Sequence, residues 1–232
     1  MSKTGVRRRL AAAVDEIDRP VIADIGCDHG HVCIYAALQK KITKAYACDI
    51  NAGPLGRAAE NIRVFGLSDI IETRLGYGLM PVYGTDAESI IIAGLGGWQT
   101  IEILANGLGF MPAAKQLVLQ PMSEIPAVRA YVLNANFFIK NERLIHESGK
   151  YYFILNCAPG GDAAYTEAEL LLGRVTLNNK HDILYDFVAS EIKKIKRIIG
   201  KIDEAGETGQ SFKRRDELAE RLEIHEKILN NG

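Results

Sequence analysis

The chain has 232 residues, of which 47% are hydrophobic and 25% charged, and a net charge of −1. That is room for one α/β domain with an appendage, and it excludes a global electrostatic pull toward nucleic acid, so an RNA partner would have to meet a local basic face. The four cysteines, Cys27, Cys33, Cys48 and Cys157, form no Cys-x-x-Cys pair, which argues against a disulfide framework or a zinc ribbon and fits a reducing, cytoplasmic setting.

In chain order, Arg7-Arg8-Arg9 precede an apolar stretch at 10–14 that Asp15 and Glu16 cut short, too brief for a signal-peptide core. No run approaches the roughly 18 apolar residues of a membrane span. Residues 21–25, 44–49, 70–75, 89–93 and 115–120 read as strands. Helix-like stretches at 32–39, 54–65, 98–106 and 125–134 separate them. Continuous apolar runs such as Ile90-Ile91-Ile92-Ala93 suit strands covered on both faces, hence a parallel sheet. Residues 137–146 and 151–157, joined by Glu147-Ser148-Gly149-Lys150, read as an antiparallel hairpin. Composition changes at Pro159-Gly160-Gly161-Asp162, a hinge between a domain at 1–160 and an arm at 163–232. In the arm, Val188, Ile192, Ile195, Ile199 and Ile202 step by four and three, a heptad seam. Residues 203–209 read as a turn, and a more polar seam follows at Arg215, Leu218, Leu222, His225 and Leu229. The expected fold class is α/β: a Rossmann sheet like that of class I methyltransferases, parallel strands plus a C-terminal antiparallel hairpin, with an all-α C-terminal helical hairpin. Lys193, Lys194, Lys196 and Arg197, and Lys213, Arg214 and Arg215, concentrate positive charge on the arm. Such residues read first as a solvated helix face and second as an RNA-backbone contact.

The chemistry concentrates at strand ends. Asp24 closes the first apolar run and is followed by a glycine turn; Asp49 closes the second. This is how a doubly wound sheet holds an adenosine-type cofactor at its carboxyl edge, with the second acid on the ribose hydroxyls. A dinucleotide site needs a third glycine where Asp28 stands, so NAD is disfavoured. A carboxylate there suits a sulfonium or an α-amino group, which points to S-adenosylmethionine. Cys27, His29, His31 and Cys33 alternate, but residues two apart on a helix do not face one another, so no metal is expected. The cofactor set expected is Asp24, Gly26, Cys27, His29, Asp49, Ile50, Tyr77, Gly78, Ala93 and Gly94. Asp28 is the expected catalytic residue, and Gly96, Gly97, Gln120 and Pro121 are expected to face the substrate base. No Asn-Pro-Pro-Tyr-like loop follows the fourth strand, so an exocyclic amine is not the indicated target. A ring nitrogen with an in-plane lone pair needs alignment and stabilisation of the cation formed.

Asp24-Ile25-Gly26-Cys27-Asp28-His29, Gly66-Leu67-Ser68-Asp69, Arg74-Leu75-Gly76-x-Gly78-Leu79, Ile92-Ala93-Gly94-Leu95-Gly96-Gly97 and Leu119-Gln120-Pro121 occur in this order. Together with Gly149-Lys150-x-Tyr152 and the helical arm, they resemble the bacterial tRNA (adenine(22)-N(1))-methyltransferase family over nearly the whole chain. The resemblance implies methyl transfer from S-adenosylmethionine to N1 of an adenine in the D-arm region of tRNA. It implies a tRNA partner, a helical arm that helps grip the RNA, and no membrane; a monomer or weak dimer is expected. Two positions depart from the family pattern. Tyr77 stands where an acid is usual between the glycines, and Met122 stands where asparagine follows Gln120-Pro121. These leave two alternatives: a diverged non-catalytic RNA-binding relative, or a methyltransferase acting on a small molecule or protein.

Overall fold

A computed structural model describes residues 6–111, 113–179, 181–205 and 209–230. The chain divides into two compact units, 1–164 and 165–232. The first alternates strands and helices: α1 (Arg8–Asp15), β1 (Val21–Ile25), α2 (His31–Leu38), β2 (Lys44–Asp49), α3 (Ala52–Val64), β3 (Ile71–Leu75), β4 (Ser89–Ala93), α4 (Gly97–Gly107), β5 (Gln116–Gln120), α5 (Ile125–Asn134), β6 (Phe137–Glu147) and β7 (Lys150–Pro159). They build a seven-stranded sheet in the order β3-β2-β1-β4-β5-β7-β6, with helices on both sides. β1 to β5 are parallel, and β7 inserts antiparallel between β5 and β6. The order reverses between β1 and β4, where the loops after the two strands part to opposite sides. That is the topological switch point at which such sheets open a crevice.

The apolar pattern explains the layering. Ile90, Ile91 and Ile92 are all fully buried, as are Leu117, Val118 and Leu119, because both sheet faces are covered. The β6–β7 hairpin turns at Ser148 and Gly149, both with positive φ (51° and 75°), which matches the twist of the two strands. Helix α1 is absent from the sequence expectation. It turns Ala12, Ala13 and Val14 inward. The carbonyl of Glu16, just past its end, accepts from Gln116 Nε2 at 2.7 Å and Asn156 Nδ2 at 3.2 Å, pinning the chain start to β5 and β7.

The second unit is helical among its described residues: α6 (Glu167–Leu172), α7 (Arg174–Asn179), α8 (Asp182–Ala205) and α9 (Gly209–Asn230). Thr166 and Glu169 close a capping box at the start of α6. Leu172, Leu184, Val188 and Ile192 form its core, with Leu222 and Ile228 packed against them. Val188, Ile192 and Ile195 of the expected seam are buried. On α9 the seam departs from expectation at its end: Leu229 is 40% exposed and Ile228 packs on the core instead. The step after His225 is three, which keeps the stripe on the buried side. Residues 206–208 of the expected turn lie outside the described residues. Lys196 pairs with Glu226 at 2.7 Å and Arg215 with Asp203 at 2.7 Å, so part of the basic clusters ties α8 to α9. No described helix is long and apolar enough to cross a membrane.

Candidate functional site

The β1–α2 turn is shaped by backbone conformations that side chains resist. Gly26, Asp28 and Gly30 all have positive φ, at 75°, 50° and 73°. The Cys48 carbonyl accepts from both Gly26 and Cys27 N–H at 2.9 Å, folding the turn back over β2. Asp49, at the end of β2, is 8% exposed. One of its oxygens accepts from the Asp28 N–H at 3.2 Å and the other from the Asn51 N–H at 2.8 Å. A carboxylate offers about four acceptor positions, so two remain for a pair of ligand hydroxyls.

Asp24 is buried near the end of β1. Burial raises its pKa to about 7, partly opposed by the Cys33 thiol, which donates to it at 3.8 Å. Among the described residues no cation pairs with it, and a buried acid so placed is an unfinished electrostatic arrangement.

Two cavities open at the switch point and share Gly26, Asp28 and Leu95 as walls. The first, of about 260 Å³, runs from Asp49 and Ile50 past Pro54 to Tyr77, Gly78, Gln99 and Ile103. Its apolar walls suit a flat ring and its Asp49 end suits a sugar. The second, of about 280 Å³, is lined by Arg9, Asp24, Cys27, Asp28, His31, Ala93 and Gly94 among others. It mixes both signs of charge. Among the described residues no group of three or more His, Cys, Asp or Glu could hold a metal ion. The residues thus fit S-adenosylmethionine part by part: Asp49 keeps free acceptors for a ribose, and side chains at Gly26 or Gly78 would approach Leu95 at 3.4 Å or Ile103 at 3.6 Å, narrowing the cleft.

Of the expected residues, Gly26, Asp28, Asp49, Ile50, Tyr77 and Gly78 meet in the first cavity. Asp24, Cys27, Ala93 and Gly94 join Gly26 and Asp28 in the second. Tyr77 is held by its hydroxyl, which donates to Glu102 Oε1 on α4 at 2.6 Å. His29 lines neither cavity; its Nε2 lies 3.5 Å from Asp28 Oδ1. Gly96, Gly97, Gln120 and Pro121 also line neither. Gly97 is buried in the first turn of α4, where a Cβ would come within 2.4 Å of the Ser123 carbonyl oxygen. Its glycine answers helix packing. Gln120 is fully buried, and its side-chain oxygen accepts from Arg9 Nη1 at 2.5 Å.

Sequence reasoning misses Arg9, His31, Gln99 and Ile103 as lining residues. Gln99 and Ile103 are one helical turn apart, an i, i+4 signal that could have found them. Arg9 lies inside a charge run that reads as a surface patch. Its place in a cavity depends on α1 crossing back to β5.

A parallel Rossmann sheet closed by an antiparallel hairpin, with a sugar-sized acid site beside a mixed-charge cavity at its switch point, defines a nucleoside-cofactor methyltransferase of the class I type. The model of the tRNA (adenine(22)-N(1))-methyltransferase family matches residues 22–228, and the chain belongs to that family. It is 29% identical over 238 residues to the Bacillus subtilis tRNA (adenine(22)-N(1))-methyltransferase, with both chains covered in full. Its fold is similar to the crystal structure of the B. subtilis m1A22 tRNA methyltransferase TrmK, with TM-score 0.87 and 28% identity over 98% of this chain and 100% of that one. It is similar also to M. capricolum TrmK in complex with S-adenosyl-homocysteine, with TM-score 0.83 and 26% identity over 97% of this chain and 98% of that one.

Proposed function

We propose that this protein transfers a methyl group from S-adenosylmethionine to N1 of adenine 22 in the D-arm region of tRNA. The observation that carries the reading is the pair of cavities sharing Gly26, Asp28 and Leu95. One fits the nucleoside, the other an amino-acid end and an incoming base, and the shared wall is where a methyl group would cross.

Bound S-adenosylmethionine supplies an electrophilic methyl group on a sulfonium. Asp49 would bind the ribose through its two free acceptor positions, and Gly78, Ile50 and Tyr77 would enclose the adenine. Asp24, Gly26, Cys27, Ala93 and Gly94 would receive the methionyl end, with His29 supporting Asp28 from outside the cavity. Adenine N1 would attack with an in-plane lone pair while the methyl–sulfur bond breaks and its electron pair stays on sulfur as a neutral thioether, so no base must first remove a proton. The chain's contribution is orientation. Asp28, whose side chain is 64% exposed beside the shared wall, is the catalytic carboxylate that stabilises the positive charge appearing on the ring. Gly96 and the neighbouring Gly97, Gln120 and Pro121 shape the far side of the base site, the last three from behind it. The target N1 must leave any Watson–Crick pair, which requires a few kcal/mol of unpairing.

The residues 1–160 act as the cofactor domain and 163–232 as an RNA-gripping arm, in a cytoplasmic monomer or weak dimer. Purified protein incubated with S-adenosylmethionine and unmodified tRNA should place one N1-methyladenine at position 22, read as a reverse-transcription stop. Methylation of protein or small molecules with none on tRNA would overturn the proposal.

A further inference from the structure

The loops that follow β4 and β5 are fastened to each other along the carboxyl edge of the sheet. Gly94 N–H donates to the Gln120 carbonyl at 3.0 Å, Met122 N–H to the Leu95 carbonyl at 2.8 Å, and Gly97 N–H to Ser123 Oγ at 3.3 Å. Each side of this seam carries one large apolar side chain in solvent. Trp98, in the first turn of α4, is 65% exposed, and Met122 is 42% exposed. A lone exposed apolar residue is ordinary on a protein surface. Two of them on loops bonded together, at the lip of the cavities, have a common reason to be there. Met122 Sδ lies 3.9 Å from Nη1 of Arg9, which lines the second cavity, and Gln99, next to Trp98, lines the first.

The side-chain amide at this edge is already engaged. Gln120 is fully buried, and its Oε1 accepts from Arg9. Its Nε2 donates to the Pro121 carbonyl at 3.3 Å and to Met122 Sδ at 3.4 Å, which uses both amide hydrogens. Two positions on, where the family pattern has asparagine, this chain has a thioether. The segment from Gln120 to Met122 therefore keeps no side-chain amide with which to read a base by its hydrogen-bonding edge. What the rim offers instead is an indole plane and a polarisable sulfur, both suited to the flat face of an aromatic ring.

The reaction selects the occupant. A base drawn out of an RNA stack loses the faces of its neighbours, and side chains that supply a new face offset part of that cost. We propose that Trp98 stacks on the extruded target adenine of the tRNA, with Met122 lining the same rim. At this end of the site the base is then held by its face. The assignment rests on the tRNA methyltransferase reading above.

Trp98 is the only tryptophan in the chain, so its emission reports on this position alone. Titrating the full chain with unmodified tRNA should quench that emission, whereas the same tRNA with an abasic residue at position 22 should bind with little quenching. Trp98→Ala should lower kcat/KM for tRNA by about 10- to 100-fold, and Trp98→Phe, which keeps an aromatic face, by no more than about threefold. Met122→Ala should cost less than Trp98→Ala. S-adenosylmethionine binding by calorimetry should be unchanged in all three variants, which also reports that they fold. Emission that tRNA binding leaves unmoved would overturn the assignment. So would equal quenching by the abasic tRNA, which would give the indole to another part of the RNA, or a Trp98→Ala variant with wild-type kcat/KM. Wild type that binds S-adenosylmethionine but methylates no tRNA would instead remove the substrate reading on which the assignment stands.

Discussion

Asp24 carries a pH signature that can be measured directly. Its pKa is about 7 in the fold, against 3.8 for an exposed aspartate. An acid raised on folding holds its proton in the native state where the unfolded chain has released it. Native stability therefore falls as pH rises from about 4 to about 7, by roughly 4 kcal/mol as an upper bound. Asp24→Asn should flatten the thermal-unfolding midpoint across that range; a variant with the wild-type slope would assign the effect to another group. Cofactor affinity should rise as pH passes 7, because a bound ammonium favours ionised Asp24. At Tyr77, the ring walls the cavity and Glu102 holds its hydroxyl. Tyr77→Ala should weaken S-adenosylmethionine binding by about tenfold, while Tyr77→Phe, which keeps the ring, should stay within about threefold of wild type. Calorimetry separates the two. The acids at strand ends are legible in the sequence because a carboxylate closing an apolar run has few other reasons to be there. Gln120 is legible as a polar group at a strand end. Its partner is not, since Arg9 is 111 positions away.

Elements with strong periodicity are readable and short ones are not. The parallel strands announce themselves through runs such as Ile90 to Ile92, and the hairpin through Ser148-Gly149. Helix α1 has only eight residues, and its stability comes from tertiary packing rather than from propensity. Glycines mislead in one place. Gly94, with φ of 87°, needs its freedom for the turn after β4, and Gly97 needs the space of a hydrogen atom where α4 meets the loop before α5. Three glycines in four residues look alike in a sequence and serve different ends. Gly97→Ala should lower stability by about 1–3 kcal/mol through overpacking, seen in chemical denaturation. A variant as stable as wild type would show that α4 shifts freely. On α9, the change from Leu229 to Ile228 reflects a step of three that a fixed heptad count does not anticipate.

At the scale of the molecule, a net charge of −1 means that tRNA attraction must be local. Lys196 and Arg215 are engaged with Glu226 and Asp203. Of the two basic clusters on the arm, Lys193, Arg197 and Lys213 form no ion pair among the described residues and are the cations these clusters can offer. Reversing all three to glutamate should weaken tRNA binding at every salt concentration and lower the salt slope by about one for each phosphate no longer neutralised, with S-adenosylmethionine affinity unchanged. Unaltered tRNA affinity would leave the arm without a role in grip. The four cysteines have a separate consequence. All are buried, and burial pushes every thiol upward, Cys48 to about 12. Only the thiolate reacts with maleimides and disulfide reagents, so the native thiols should react slowly with them. A single cysteine introduced on the surface of the arm should then label far faster than the native four, and a fluorophore there could follow the arm through a catalytic cycle without removing any native residue.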